Sequence, residues 1–142
     1  MYYILLDACF WISYLDPQDN PKLTMEADRI FKDFENETLV IPFPTLYEFV
    51  NSKFSRSKNK DGRELFERVL NTKKIEKIAD EKYKEIALIN FFKNSGFGIS
   101  DISLVDEVIK QIIDDPNYKI DYIATFDEAL QKFARSRNVY LP

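Results

Sequence analysis

Apolar positions along the chain fall into continuous runs and helically spaced runs that alternate. Tyr2-Tyr3-Ile4-Leu5-Leu6 is apolar throughout and stops on Asp7, which is the pattern of a strand buried on both faces of a parallel sheet. Ala8 to Leu15 stays apolar and meets Asp16-Pro17, so it reads as a short helix with a stop signal. Between 21 and 37, Leu23, Met25, Ala27, Ile30, Phe31 and Phe34 recur among charges at spacing closer to helical than to alternating. Leu39-Val40-Ile41-Pro42 is a short strand ended by a Pro42-Phe43-Pro44 turn. Pro44 and Thr45 then mark a helix start, with Thr45 and Glu48 in the form of a capping box.

The alternation continues. A helix is expected through 64–70, a strand at 75–79, and an amphipathic helix over 80–94 closed by Ser95-Gly96. On the wheel from Ile99 to Ile113, Ile102, Val105, Ile109, Ile112 and Ile113 form an apolar stripe, and Glu107, Lys110 and Asp114 lie opposite. Asp106 falls at the edge of that stripe rather than with the solvated acids, although Ser103 three residues before it also fits a helix cap. Asp101 reads as a loop or capping acid. Tyr122-Ile123-Ala124-Thr125 is a strand candidate running through Phe126 into Asp127, a helix follows over 128–135, and Val139-Tyr140-Leu141 is a last short strand after Asn138. Alternating strands and helices predict an α/β fold with a mainly parallel sheet, in one domain spanning 1–142.

Composition narrows the chemistry. With 142 residues, 45% hydrophobic and 15% aromatic, the chain has enough for one packed core. Twenty basic and twenty-four acidic residues leave a net charge of -4, so any nucleic-acid contact must be local. The best local basic patch is Lys53, Arg56, Lys58, Lys60 and Arg63, opposed only by Asp61 around a Gly62 breaker. It suits either a solvated loop or a phosphate-contacting one. Histidine is absent, which removes the usual neutral-pH base and the commonest transition-metal ligand. Cys9 is the only cysteine, so an internal disulfide and a structural zinc site are excluded. With no basic residue before the first apolar stretch and no run near the ~18 apolar residues of a membrane span, a soluble cytoplasmic protein is expected.

Carboxylates are what remains. Asp7 follows the first strand, Glu48 follows the second, Asp106 opens a helix and Asp127 follows a later strand. Each alone is an ordinary cap or turn residue. In a parallel sheet, however, all four fall on the carboxyl edge, where such folds bind ligands. Acids gathered there repel each other and raise one another's pKa unless a cation neutralises them. Hard oxygen ligands suit Mg²⁺ or Mn²⁺, and the matching chemistry is metal-assisted phosphodiester hydrolysis, for which no histidine is needed.

The segments Ile4-Leu5-Leu6-Asp7, Thr45-Leu46-Tyr47-Glu48, Ile102-Ser103-Leu104-Val105-Asp106-Glu107 and Ile123-Ala124-Thr125-Phe126-Asp127 occur in this order over the whole chain. Together they resemble the PIN-domain nucleases, particularly the VapC-type toxin ribonucleases. The resemblance implies a PIN-like three-layer α/β/α fold with a central, mainly parallel sheet. It implies Asp7, Glu48, Asp106 and Asp127 as catalytic, metal-site acids, Thr125 as a supporting hydroxyl, and Asp101 as a competitor for the third acid position. It further implies an endoribonuclease using Mg²⁺ or Mn²⁺ and leaving a 5′-phosphate, a homodimer, and an antitoxin partner lying in an apolar groove. Lys53, Arg56, Lys58, Lys60 and Arg63 would then contact RNA. After its first acid the family usually has Thr or Ser and then often Asn or Ser. This chain has Ala8 and Cys9, so one polar group beside the site is expected to be missing. The alternative is a catalytically inactive PIN-like module that binds RNA or protein. A phosphoacceptor receiver domain fits less well, since such domains end the first strand with a pair of acids.

Overall fold

A computed structural model of the chain describes residues 2–16, 18, 20–52, 60–72, 74–95 and 103–142. Its centre is a parallel sheet of four strands: β1 (Tyr3–Leu6), β2 (Thr38–Pro42), β3 (Ile75–Ile78) and β4 (Tyr122–Ala124), in spatial order β3-β2-β1-β4. Register follows from the pairs Tyr3 with Thr38, Leu6 with Ala124 and Leu39 with Ile75. The central strands β1 and β2 are apolar because helices cover both faces of the sheet. Ile4, Leu6, Leu39 and Ile41 pack on one side against α1 (Ala8–Leu15), α2 (Pro21–Asp33) and α4 (Lys60–Thr72). Leu5, Val40 and Ile123 pack on the other side against α5 (Lys84–Ser95), α6 (Leu104–Asp114) and α7 (Glu128–Ser136). The remaining helix, α3 (Phe43–Val50), leaves β2 directly and contacts α1 and α6. The architecture is therefore the expected three-layer α/β/α arrangement.

Local chemistry sets the helix ends. Asp7 caps α1 by accepting from Ala8 N at 2.8 Å, and Asn20 caps α2 through Leu23 N with Pro21 in its first turn. Trp11, Phe31 and Phe66 meet edge to face between α1, α2 and α4, at centroid distances of 5.2 and 4.7 Å from the indole. After α7 the chain turns through Asn138, whose φ of 61° lies in the left-handed region that Asn tolerates.

Four expectations are corrected. The Thr45–Glu48 capping box does not form, because α3 starts two residues earlier, at Phe43, and the Thr45 hydroxyl donates to Pro42 O at 2.7 Å. Gly62 does not break the chain: it is buried inside α4, which begins at Lys60. Glu107 is not solvated but only 2% exposed, and its carboxylate is accommodated 3.4 Å from Lys110 Nζ. Val139 to Leu141 forms no full strand, only one parallel bridge between Tyr122 and Tyr140. Ile102 and the segment before it lie outside the described residues. No described helix is long and apolar enough to cross a membrane.

Two helices carry exposed apolar residues. Helix α5 buries Ala87 and leaves Ile86, Leu88, Ile89 and Phe92 exposed, and α3 leaves Tyr47 and Val50 exposed.

Candidate active site

Parallel strands place every strand-to-helix turn at one edge of the sheet. Asp7 is the first residue past β1, Glu48 lies on the helix that leaves β2, and Asp127 caps the helix after β4. Helix α6 precedes β4 and ends at the opposite edge, which brings its first turn, and Asp106 with it, to the same edge as the others. Ser103 Oγ accepts from Asp106 N at 3.1 Å, capping the helix while the Asp106 side chain stays buried. Capping and burial of the acid thus coexist.

Asp7 is held on both carboxylate oxygens. Ala8 N donates to Oδ1 at 2.8 Å, and the Thr125 hydroxyl donates to Oδ2 at 2.8 Å across the β1–β4 turns. Cys9 Sγ also donates to Oδ2, at 3.4 Å, and accepts from Phe126 N at 3.5 Å. The polar group expected to be missing after Asp7 is therefore present as a thiol. Asp127 N donates to Thr125 Oγ1 at 3.2 Å, and the Asp127 carboxylate accepts from Leu130 N at 3.1 Å. Backbone and side chains thus tie the first acid to the last.

Charge accumulates at this edge. Burial raises Asp7, its hydrogen bonds from Thr125, Ala8 and Cys9 offset that only in part, and Asp127 adds a smaller push upward. Asp106 is pushed up to about 7, first by burial and then by Asp7, Asp127 and Glu48. Glu48 is solvent-exposed as a residue, yet its carboxyl is pushed up to about 7 by the protein around it and by Asp7. The Cys9 thiol rises to about 12, mainly through burial and next through Asp7. Four acids are thus electrostatically coupled with no cationic side chain among the causes of these shifts, a pattern typical of functional sites.

Among the described residues, no group of three His, Cys, Asp or Glu side chains is set so as to hold a metal ion directly. The donor chemistry nevertheless fits a hard divalent cation. Mg²⁺ uses one or two carboxylates and retains several waters, so acids that are coupled but not closed around one point suit it better than a dry cage.

Other candidate residues fall elsewhere. Lys53, Arg56, Lys58 and Asp101 lie outside the described residues. Lys60 and Arg63 are exposed on α4, where they line a cleft of about 420 Å³ with Glu64 and Glu67, and Lys60 Nζ lies 3.8 Å from Glu64. That cleft is of mixed charge rather than purely basic. Gln131, unsuspected from the sequence, donates from Nε2 to Thr125 O at 2.8 Å. Its signal was a polar residue in the first turn of α7, four positions after Asp127, facing back toward the strand.

No protein-family model matches the chain, and no curated protein matches it by sequence. Among solved structures it is similar to Mycobacterium tuberculosis VapC20, described as a sarcin-ricin loop cleaving toxin. The TM-score is 0.70 at 15% identity over 94% of each chain. At that identity the likeness concerns the fold, and the chain has the PIN-like α/β/α fold of a VapC-type protein.

Proposed function

We propose that the chain is a divalent-metal-dependent endoribonuclease of the toxin kind, acting as a single domain over 1–142. What supports this reading is the electrostatic coupling among Asp7, Glu48, Asp106 and Asp127, with Glu48 and Asp106 both pushed up to about 7. The fold neighbour, described as a toxin that cleaves the sarcin-ricin loop, supports RNA as the substrate class.

In this reading Asp7, Asp106 and Asp127 hold Mg²⁺ or Mn²⁺. When bound, the ion supplies Lewis acidity and makes water a better nucleophile. Thr125 fixes the Asp7 carboxylate so that Oδ2 keeps one direction. Glu48, exposed and titrating near neutrality, suits a base that takes the proton from the attacking water. Water then attacks phosphorus in line, the bond to the 3′-oxygen breaks, and a 5′-phosphate and a 3′-hydroxyl remain. Lys60 and Arg63, with Lys53, Arg56 and Lys58, serve as phosphate contacts, and Asp101 serves as a supporting acid. The exposed apolar residues of α3 and α5 support protein partners, a second copy of the chain and an antitoxin.

A second reading, an inactive PIN-like module that binds RNA or protein, is favoured by the lack of three directly converging ligands among the described residues. The deciding experiment incubates a sarcin-ricin loop oligonucleotide and an unrelated stem-loop with the protein in Mn²⁺, in Mg²⁺ and in EDTA. Cleavage is expected only with metal, with Glu48→Gln slower by about 10²–10⁴-fold and Asp7→Asn without activity. Cleavage that survives both EDTA and Asp7→Asn overturns the metal mechanism, and RNA binding without cleavage selects the module.

A further inference from the structure

The turn between β4 and α7 carries both Thr125, whose hydroxyl holds Asp7, and Asp127 itself. Strand β4 ends at Ala124, so the peptide joining Thr125 to Phe126 has left the sheet ladder. Its two polar ends still find partners, and both are side chains. The carbonyl of Thr125 accepts from Gln131 Nε2 at 2.8 Å, and the N–H of Phe126 donates to Cys9 Sγ at 3.5 Å. The hydroxyl of the same Thr125 lies between the two acids, donating to Asp7 Oδ2 and accepting from Asp127 N at 3.2 Å. Rotation of this one peptide would therefore move the hydroxyl, the Asp127 amide and the first turn of α7 together.

Of the two clamps, the Gln131 bond is the shorter, and it is part-buried beside a mostly apolar cleft that Glu26 also lines. Gln131 lines a cavity of about 270 Å³ together with Ile30, Ile123, Phe126 and Leu141. In such surroundings a hydrogen bond is electrostatically stronger than in water, and an unpaired carbonyl is costly. Gln131 is itself anchored, since its backbone N donates to Asp127 O at 2.9 Å. The side chain thus reaches back over the turn from a fixed base.

We propose that Gln131 is a positioning residue for the acid site: by pinning the Thr125–Phe126 peptide it sets the Thr125 hydroxyl and Asp127 in the arrangement that binds the cation. The inference rests on the metal-site reading given under Proposed function. Outer partners of this kind typically change metal affinity by about 10–100-fold when removed.

The test uses the full chain and Mn²⁺ alone as probe. Gln131→Met keeps the length of the side chain and suits the apolar cavity but has no donor, whereas Gln131→Lys restores a donor. Calorimetric Mn²⁺ titration is expected to show affinity about 10–100-fold weaker in Gln131→Met and largely recovered in Gln131→Lys. Amide exchange of Asp127 should quicken in the first variant and return in the second. Should Gln131→Met fail to fold, Gln131→Asn, one methylene too short to reach Thr125, carries the same expectation. A folded variant that lacks the bond yet keeps wild-type Mn²⁺ affinity and wild-type exchange at Asp127 overturns the proposal. Wild-type protein that binds no Mn²⁺ removes the metal reading instead, and the exchange comparison then decides alone whether Gln131 holds the turn.

Discussion

Asp106 and Glu48 carry a consequence that does not depend on any substrate. Their folded-state pKa values, about 7, lie above those of free carboxyls, and Asp7 is raised as well. The native chain therefore holds more protons than the unfolded chain through the mildly acidic range. For raised groups the stabilisation is complete below the ordinary carboxylate range and is lost as pH rises through about 7. Asp115 works in the opposite sense, held down to about 2 by Lys82, the Asn117 amide and the Tyr83 hydroxyl. Its contribution fails only in strong acid, so the two windows do not overlap. Thermal unfolding in EDTA should thus give a higher Tm at pH 5 than at pH 8, with a smaller difference in Asp106→Asn. Added Mn²⁺ should raise Tm at pH 8 by mass action and reverse the order. A flat profile in EDTA would show that the acids do not share one electrostatic environment.

Among the elements, legibility followed how many neighbours act on each one. Strands β1, β2 and β4 were readable because both faces of a parallel sheet demand apolar residues, and each ran into an acid or a helix start. The acids that couple at the carboxyl edge were readable for the same reason, since the end of each element was marked in the sequence. Helix α6 misled at Glu107, because a wheel shows one apolar stripe and cannot show what the rest of the molecule covers. Helix α3 misled because Thr45 spends its hydroxyl on Pro42 O, which an isolated capping pattern does not reveal. Gln131 and Cys9 were harder to read, because Gln131 acts through the local shape of the turn at Thr125 and Cys9 meets Phe126 from the other end of the sequence. Burial in α6 has a measurable counterpart. Ile109→Ala should cost about 2–5 kcal/mol in urea unfolding, because Ile109 is fully buried between α6 and the sheet. Ser103→Ala should cost roughly 1 kcal/mol through the lost cap. Ile89→Gln, on the open side of α5, should stay within about 0.5 kcal/mol.

Over the whole molecule the two sides of α5 differ in a way that a lone chain does not explain. Ile86, Ile89 and Phe92 are more than half exposed at 53, 55 and 65%, on a helix whose other side is packed. Contiguous exposed apolar surface of this kind marks an interaction site. Sedimentation at micromolar concentration should show self-association that Phe92→Glu abolishes while leaving the unfolding midpoint of the monomer nearly unchanged. The acid edge also carries its own reporter. Cys9 is the sole thiol in the sequence, it is engaged with Asp7 and Phe126, and burial and Asp7 push its pKa up to about 12. Iodoacetamide reacts with thiolate, so alkylation of the half-buried Cys9 is expected to be slow and to quicken when this edge opens. The labelling rate at neutral pH then follows changes in the exposure of this edge, without an engineered probe and without substrate. A cation seated on the neighbouring carboxylates should slow the labelling, so one mass measurement follows both the breathing of the turns and the occupancy of the site.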